Sequence, residues 1–266
     1  MRWSERQLAM LREMGVASFW PVSSAAPAAS AAPAASAVAA PPEPAASIES
    51  QPPTEVSAPD VASRPAGVET MDWATLEQAV ASCQACALCQ NRSQTVFGVG
   101  SRSARWMIVG EAPGEQEDRQ GEPFVGRAGQ LLDRMLAALG LSRDHAAQAG
   151  HVYIANVLKC RPPANRNPQP QEVAQCEPFL LRQMALVQPD IVLAMGRFAA
   201  QSLLKTTEPI GKLRGRVHEV AGVPVVVTYH PAYLLRNPAD KALAWDDLCL
   251  ARERQARRQS VGGSPR

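Results

Sequence analysis

No run of about 18 apolar residues occurs in the 266-residue chain, so no membrane-spanning helix is expected. The N-terminal stretch MRWSERQLAMLREMGV interleaves charges with apolar residues. It lacks the uninterrupted apolar core of a secretion signal, and a cytoplasmic location with no membrane contact is expected. Charge of one sign is missing too. The net charge is +2, residues 71–250 hold 18 basic against 17 acidic residues, and only residues 251–266, with five Arg and one Glu, lean basic. Bulk charge therefore makes no case for nucleic acid, and any such case must come from local clusters. Aromatic residues are scarce at 5%, and residues 21–70 have none while holding ten of the 23 prolines. A segment so rich in Ala, Pro and Ser buries too little apolar surface to offset its ordering entropy, and a disordered linker is expected there.

Around that linker the chain divides. Residues 1–20 place Leu8, Leu11, Met14 and Val16 at roughly helical spacing before Phe19 and Trp20. The expectation is a short amphipathic helix over 5–20 that docks a partner protein, since a lone helix of that length is marginal in water. From Met71 the texture becomes that of a folded domain, expected over 71–254 with a basic tail at 255–266. Trp106–Gly110, Val152–Leu158, Ile191–Met195 and Val223–Thr228 are short unbroken apolar runs suited to buried strands. Helical patterns fall at 71–82, 130–139, from Pro170 to about Val187 with a break or kink at Pro178, at 197–204 and at 241–254. Strands alternating with helices predict an α/β fold, a three-layer α/β/α arrangement around a four-stranded parallel sheet. Ligands of such sheets bind beyond the carboxyl ends of the strands, here Gly110-Glu111, Asn156, Gly196 and His230-Pro231.

Six cysteines occur, three of them as Cys83-x-x-Cys86-x-x-Cys89, with Cys160 and Cys176 further on and Cys249 in the last helix. In a cytoplasmic protein, disulfides are not expected, and the grouping points to metal or redox use. Four thiolates drawn from two places can hold zinc or an iron–sulfur cluster, and thiolates alone do not separate the two. The 15-residue gap between Cys160 and Cys176 fits neither a zinc finger nor a ferredoxin run.

Five segments carry a resemblance: GEAPGEQED (110–118), GEPFVGRAGQLL (121–132), YIANVLKCRPPANRNP (153–168), LRG (213–215) and HPAYLLRNP (230–238). Together they resemble the family 4 uracil-DNA glycosylases, over about residues 76–250. The resemblance implies a uracil-DNA glycosylase-like fold, uracil-containing DNA as substrate and a [4Fe–4S] cluster. Aligning Phe97-Gly98 with the family pattern implies Cys83, Cys86, Cys160 and Cys176 as ligands, with Cys89 a spare thiol and Cys249 a packing residue.

The chemistry can be read beside the family pattern. A glycosylase holds a flipped base, reads its edge and stabilises the charge left on the base when the C–N bond breaks. Phe124, between glycines, is placed to stack on a flat ring. Asn156 offers a donor and an acceptor side by side, matching O4 and N3–H of uracil and not the edge of cytosine. His230 can donate to uracil O2. By resemblance Glu111, Ala112 and Pro113 line the base site, and Glu117 helps shape it. Ala112 stands near where family 1 enzymes place a water-orienting Asp. Cleavage is therefore expected to be largely dissociative, with Glu111 or Glu117 orienting water. DNA contacts are expected from Arg161, Arg214 and Arg236, with Lys159, Arg166 and Arg216 as further basic groups. By resemblance the loop Tyr233-Leu234-Leu235-Arg236 is the wedge that enters the space the base leaves, with Leu234 and Leu235 at its centre, and the helix at 5–20 is expected to dock a repair or replication protein. A monomeric, monofunctional glycosylase is the leading reading. The alternative is a non-catalytic iron–sulfur nucleic-acid-binding module of the same fold. A related variant that bonds covalently to DNA through a histidine is disfavoured, because KCRPPANRNP contains none.

Overall fold

The computed structural model describes residues 64–144 and 150–261, together with Glu13. Apart from Glu13, the expected docking helix at 5–20 lies outside the described residues, as does the linker up to residue 63. Packing begins before Met71: Val68 is buried beside Leu76, Val80 and Phe179.

The strands are β1 (Val99–Gly100), β2 (Trp106–Gly110), β3 (Leu141–Ser142), β4 (Gly150–Asn156), β5 (Ile191–Met195), β6 (Val217–Val220) and β7 (Val223–Thr228). The helices are α1 (Trp73–Ala81), α2 (Glu115–Gln120), α3 (Arg127–Ala138), α4 (Pro170–Val187), α5 (Arg197–Leu204), α6 (Ile210–Leu213), α7 (Pro231–Arg236) and α8 (Lys241–Val261). The sheet runs β1-β4-β2-β5-β7-β6, with β3 paired to β4. Its centre, β4-β2-β5-β7, is parallel throughout and is the expected four-stranded core. β1 and β6 extend it as antiparallel edges, and β3 adds a short parallel pair. These three were not foreseen. β1 and β3 are too short for any periodicity to show. β6, VHEV, is an edge strand whose burial never becomes complete.

Alternation along the central strands divides the core in two. Trp106, Ile108, Val152, Ile154, Ile191, Leu193, Met195 and Val226 face one side, against Leu132 and Met135 of α3 and Trp245 and Leu248 of α8. Met107, Val109, Tyr153, Ala155, Val192, Ala194, Val225 and Val227 face the other, against Leu180 and Met184 of α4 and Ala199 and Leu203 of α5. Both faces are covered, which is why these strands read as continuous apolar runs. Asp72 caps α1 by accepting the Thr75 N–H at 2.8 Å. Pro178 does not end its helix: α4 continues through it to Val187. One missing N–H is tolerated where Phe179, Leu180, Gln183 and Met184 are buried in the turns that follow. α8 runs past the expected end at residue 254, since Ala251 and Gln255 still pack.

The parallel core aligns the carboxyl ends of its strands. Gly110 pairs with Asn156 in register. The Val157 N–H donates to Gly110 O and the Leu158 N–H to Glu111 O, both at 3.0 Å. The Gly196 N–H donates to Thr228 O at 2.8 Å. Four chain segments distant in sequence thus open onto one edge.

Candidate active site and thiol cavity

A cleft of about 630 Å³ lies at that edge. Its walls include Glu111, Ala112, Pro113, Glu117, Phe124, Asn156 and His230. Every residue expected at the base site therefore meets in one place. Tyr233 of the expected wedge loop lines it as well, and so do Arg197 and Phe198, which were not singled out from sequence. Their signal was available, because Arg197 and Phe198 directly follow the strand-end residue Gly196.

Asn156 ends β4 at 2% exposure, and its Oδ1 has no hydrogen-bond partner. An unsatisfied buried carbonyl of this kind costs about 1–3 kcal/mol, so the fold holds it for a ligand's donor. Gly110 makes the approach possible: a Cβ there would collide with Asn156 Oδ1 and with the Phe124 ring. Phe124 sits in the left-handed region, φ 56°, at 5% exposure. That conformation is strained for a non-glycine residue and turns the ring into the cleft. The ring stacks on His230, with centroids 5.4 Å apart and planes inclined by 27°. His230 Nδ1 accepts the Ala232 N–H at 3.1 Å, so the neutral ring carries its proton on Nε2 as a donor. Burial, helped by the nearby Arg236 charge, lowers the imidazole to about 4 and keeps it neutral. Gly196 leaves room for it: at φ +90° it adopts a conformation that suits glycine, and a Cβ would lie 2.9 Å from His230 Cβ.

The two glutamates differ in kind. Glu117 is fully engaged: Oε2 accepts the Gly114 N–H at 3.1 Å, and Oε1 accepts those of Val125 at 3.1 Å and Gly126 at 3.4 Å. It clamps the 110–114 loop to the turn that carries Phe124. Glu111 borders the cleft, and burial raises it to about 7, with Arg197 pulling the other way.

Several residues expected at the DNA surface turn out otherwise. Leu234 is fully buried in the core, while Leu235 is 39% exposed. Neighbours on a helix point about 100° apart, so α7 presents only one of them. Arg214 donates to Asp247 at 2.7 Å and lies over the Tyr229 ring, its side chain 11% exposed. Its charge is engaged inside the fold. Lys159 is 1% exposed. Arg166 forks onto Glu172 with bonds of 2.9 and 2.5 Å, yet still borders the cleft. Arg161 is partly exposed beside Glu115, Arg216 is exposed in a pair with Glu208, and Arg236 is exposed at the cleft wall.

A second cavity lies behind the cleft. Cys83, Cys86, Cys160 and Cys176 line it together with Cys89, Arg92 and Lys159. Cys160 and Cys176 pack against Leu88 and Leu158, with Cys86 and Ala112 alongside. Burial raises Cys160 to about 11, Cys176 to about 12, and Cys86 in the same direction. Thiols so placed ionise only against positive charge. Arg92 supplies some, donating to Cys160 Sγ at 3.1 Å. Among the described residues no three His, Cys, Asp or Glu side chains converge to hold a single metal ion. The five thiols border a cavity whose walls also include Arg92, Lys159 and Phe179.

The site thus defines a class: an α/β protein with a parallel sheet core, a cleft at its strand ends walled by Phe124, Asn156 and His230, and a cysteine-lined cavity. The family model of the uracil DNA glycosylase superfamily matches residues 97–249. The type-4 uracil-DNA glycosylase of Archaeoglobus fulgidus is 44% identical over 167 residues, spanning 60% of this chain and 81% of the relative. That of Thermotoga maritima is 43% identical over 168 residues, 62% of this chain and 84% of the relative. That of Pyrobaculum aerophilum is 40% identical over 188 residues, 68% and 93%. The chain belongs to the uracil DNA glycosylase superfamily and, within it, to the type-4 uracil-DNA glycosylases.

Proposed function

We infer that the protein excises uracil from DNA by hydrolysing the N-glycosidic bond, the opening step of base excision repair. The observation that carries this reading is the buried, unpartnered Oδ1 of Asn156 facing the same cleft as Phe124 and the Nε2–H of His230. A flipped uracil stacks on Phe124 and gives its N3–H to Asn156 Oδ1, while its O4 takes the amide donor. As the C1′–N1 bond breaks, its electron pair leaves with the base, and His230 donates to O2 where negative charge gathers. Water then bonds to C1′ and releases a proton, which the uracil anion takes up, so that free uracil and an abasic sugar remain. Glu111 is the carboxylate with free capacity to orient it, since both oxygens of Glu117 hold backbone N–H groups. Among the described residues no lysine lines the cleft as a Schiff-base nucleophile.

Cys83, Cys86, Cys160 and Cys176 are the ligands proposed for a [4Fe–4S] cluster. When bound, the group supplies a rigid cross-link between the chain before the sheet and the segment after β4. Arg161, Arg166 and Arg236 are the proposed phosphate contacts, and Leu235 the wedge. A uracil-containing oligonucleotide incubated with the protein and then treated with alkali should break at the uracil position. An intact strand at stoichiometric enzyme, with iron bound, would favour the non-catalytic alternative.

A further inference from the structure

Lys159 is a fully buried lysine that the excision reaction does not use; burial lowers it to about 7, and the neighbouring Cys176 and Cys160 oppose that shift. Its Nζ lies 2.8 Å from Asn156 O, 2.6 Å from Gln183 Oε1 and 3.4 Å from Phe97 O. Three acceptors match the three donors of an ammonium, and a neutral amine would leave one of them facing a lone pair. Gln183 is fixed in turn, its Nε2 donating to Phe97 O at 2.9 Å and to the Tyr153 hydroxyl at 3.0 Å. Among the described residues no carboxylate hydrogen-bonds to Nζ. A charge buried without a counter-ion is costly, and removing one partner from such a network exposes that cost. The opposite face of the residue supplies what is missing. Lys159 lines the thiol cavity, and its backbone N–H bonds to Cys176.

We propose that Lys159 is a positioning residue that ties the thiol cavity to the base pocket: its ammonium, balanced by the negative charge of a thiolate-held cluster, anchors the main chain of Asn156. This rests on the reading of the four cysteines as cluster ligands and of the cleft as the uracil pocket. A core held by four thiolates carries net negative charge, and Arg92 and Lys159 are the two cationic side chains lining its cavity. Asn156 and Lys159 are three residues apart where the chain leaves β4. The anchored carbonyl therefore decides how the Asn156 amide meets the base. Ala112, packed against the cluster of Leu88, Leu158, Cys160 and Cys176, gives the 110–114 loop a parallel attachment.

The test compares wild-type holoprotein with Lys159→Met, which keeps the length and removes the charge. Iron per chain should stay near the wild-type value, because all four thiols remain. The cluster's reduction potential should become more negative, since a nearby positive charge favours the reduced form. Single-turnover excision of uracil should fall by roughly tenfold or more, the scale of a misplaced contact group. An unchanged potential or an unchanged excision rate in iron-loaded Lys159→Met overturns the proposal. Wild-type protein that binds no iron or leaves uracil in place would instead sink the functional reading beneath it. If Lys159→Met does not fold, hydrogen exchange on the wild-type protein decides. Removing iron should speed exchange across residues 152–158 more than across 223–228, and equal change in both segments refutes the coupling.

Discussion

The ring of Phe124 lies against the imidazole of His230, with centroids 5.4 Å apart and planes 27° from parallel. One residue comes from a strained turn before α3, the other from the end of β7. Their contact joins the proposed stacking wall and the proposed charge-stabilising donor in a single unit. Replacing Phe124 with Ala should cost about 1–3 kcal/mol of base binding and also free the His230 ring. His230→Ala should slow the bond-breaking step by roughly 10²–10³-fold. Single-turnover rates on the double variant should show less than the sum of the two losses in free energy, and simple additivity would show the two rings acting separately.

Glu111 and Glu117 should separate in pH dependence. With Glu111 raised to about 7 by burial, it is neutral below that pH and a water-accepting carboxylate above it. Excision should therefore rise through about pH 7, and Glu111→Gln should remove that inflection. A profile in Glu111→Gln that keeps the wild-type inflection would rule Glu111 out as the water-orienting group. Between about 4.5 and 7 the native protein holds a proton at Glu111 that the unfolded chain releases, so this group's contribution to stability falls as pH rises through that window.

Glu117→Ala should behave as a structural lesion. It strips acceptors from the N–H groups of Gly114, Val125 and Gly126. A loss of about 1–3 kcal/mol in denaturant unfolding is expected, together with a fall in excision at every pH. Unaltered stability would show that the clamp is redundant.

Asn156→Asp should lower the preference for uracil over cytosine, because a carboxylate removes the amide donor and, when protonated, donates with altered polarity. Uracil excision should fall by roughly 10–100-fold from the mispaired edge. Parallel assays on uracil- and cytosine-containing strands read the ratio, and a wild-type ratio would move specificity elsewhere.

The register of the first cysteines has a direct check. Cys83 and Cys89 both line the thiol cavity, so cavity walls alone do not choose between them. Cys89→Ala should keep full iron and colour while Cys83→Ala loses them. The reverse pattern would shift the ligand pair to Cys86 and Cys89.

Much of this was legible in the chain. The four parallel strands showed as unbroken apolar runs because both of their faces are covered, and the pocket residues stood at strand ends and in Gly/Pro turns. Local pattern carries such information, since burial on two faces and tight turns each restrict residue type. β1, β3 and β6 escaped because two-residue pairs and an exposed edge impose no such restriction. The direction in which each polar side chain points was not readable. Lys159 and Arg214 look like surface cations and are buried ones, and Leu234 and Leu235 look equivalent until α7 turns one of them inward. Glu117 could have faced the base, but three backbone N–H groups from two loops hold it. By itself the sequence determined the layers, the strand ends and which residue types reach them. Only the tertiary structure decided which charges are spent inside and which face the cleft, because a charged side chain's partners come from segments far along the chain and are chosen by desolvation.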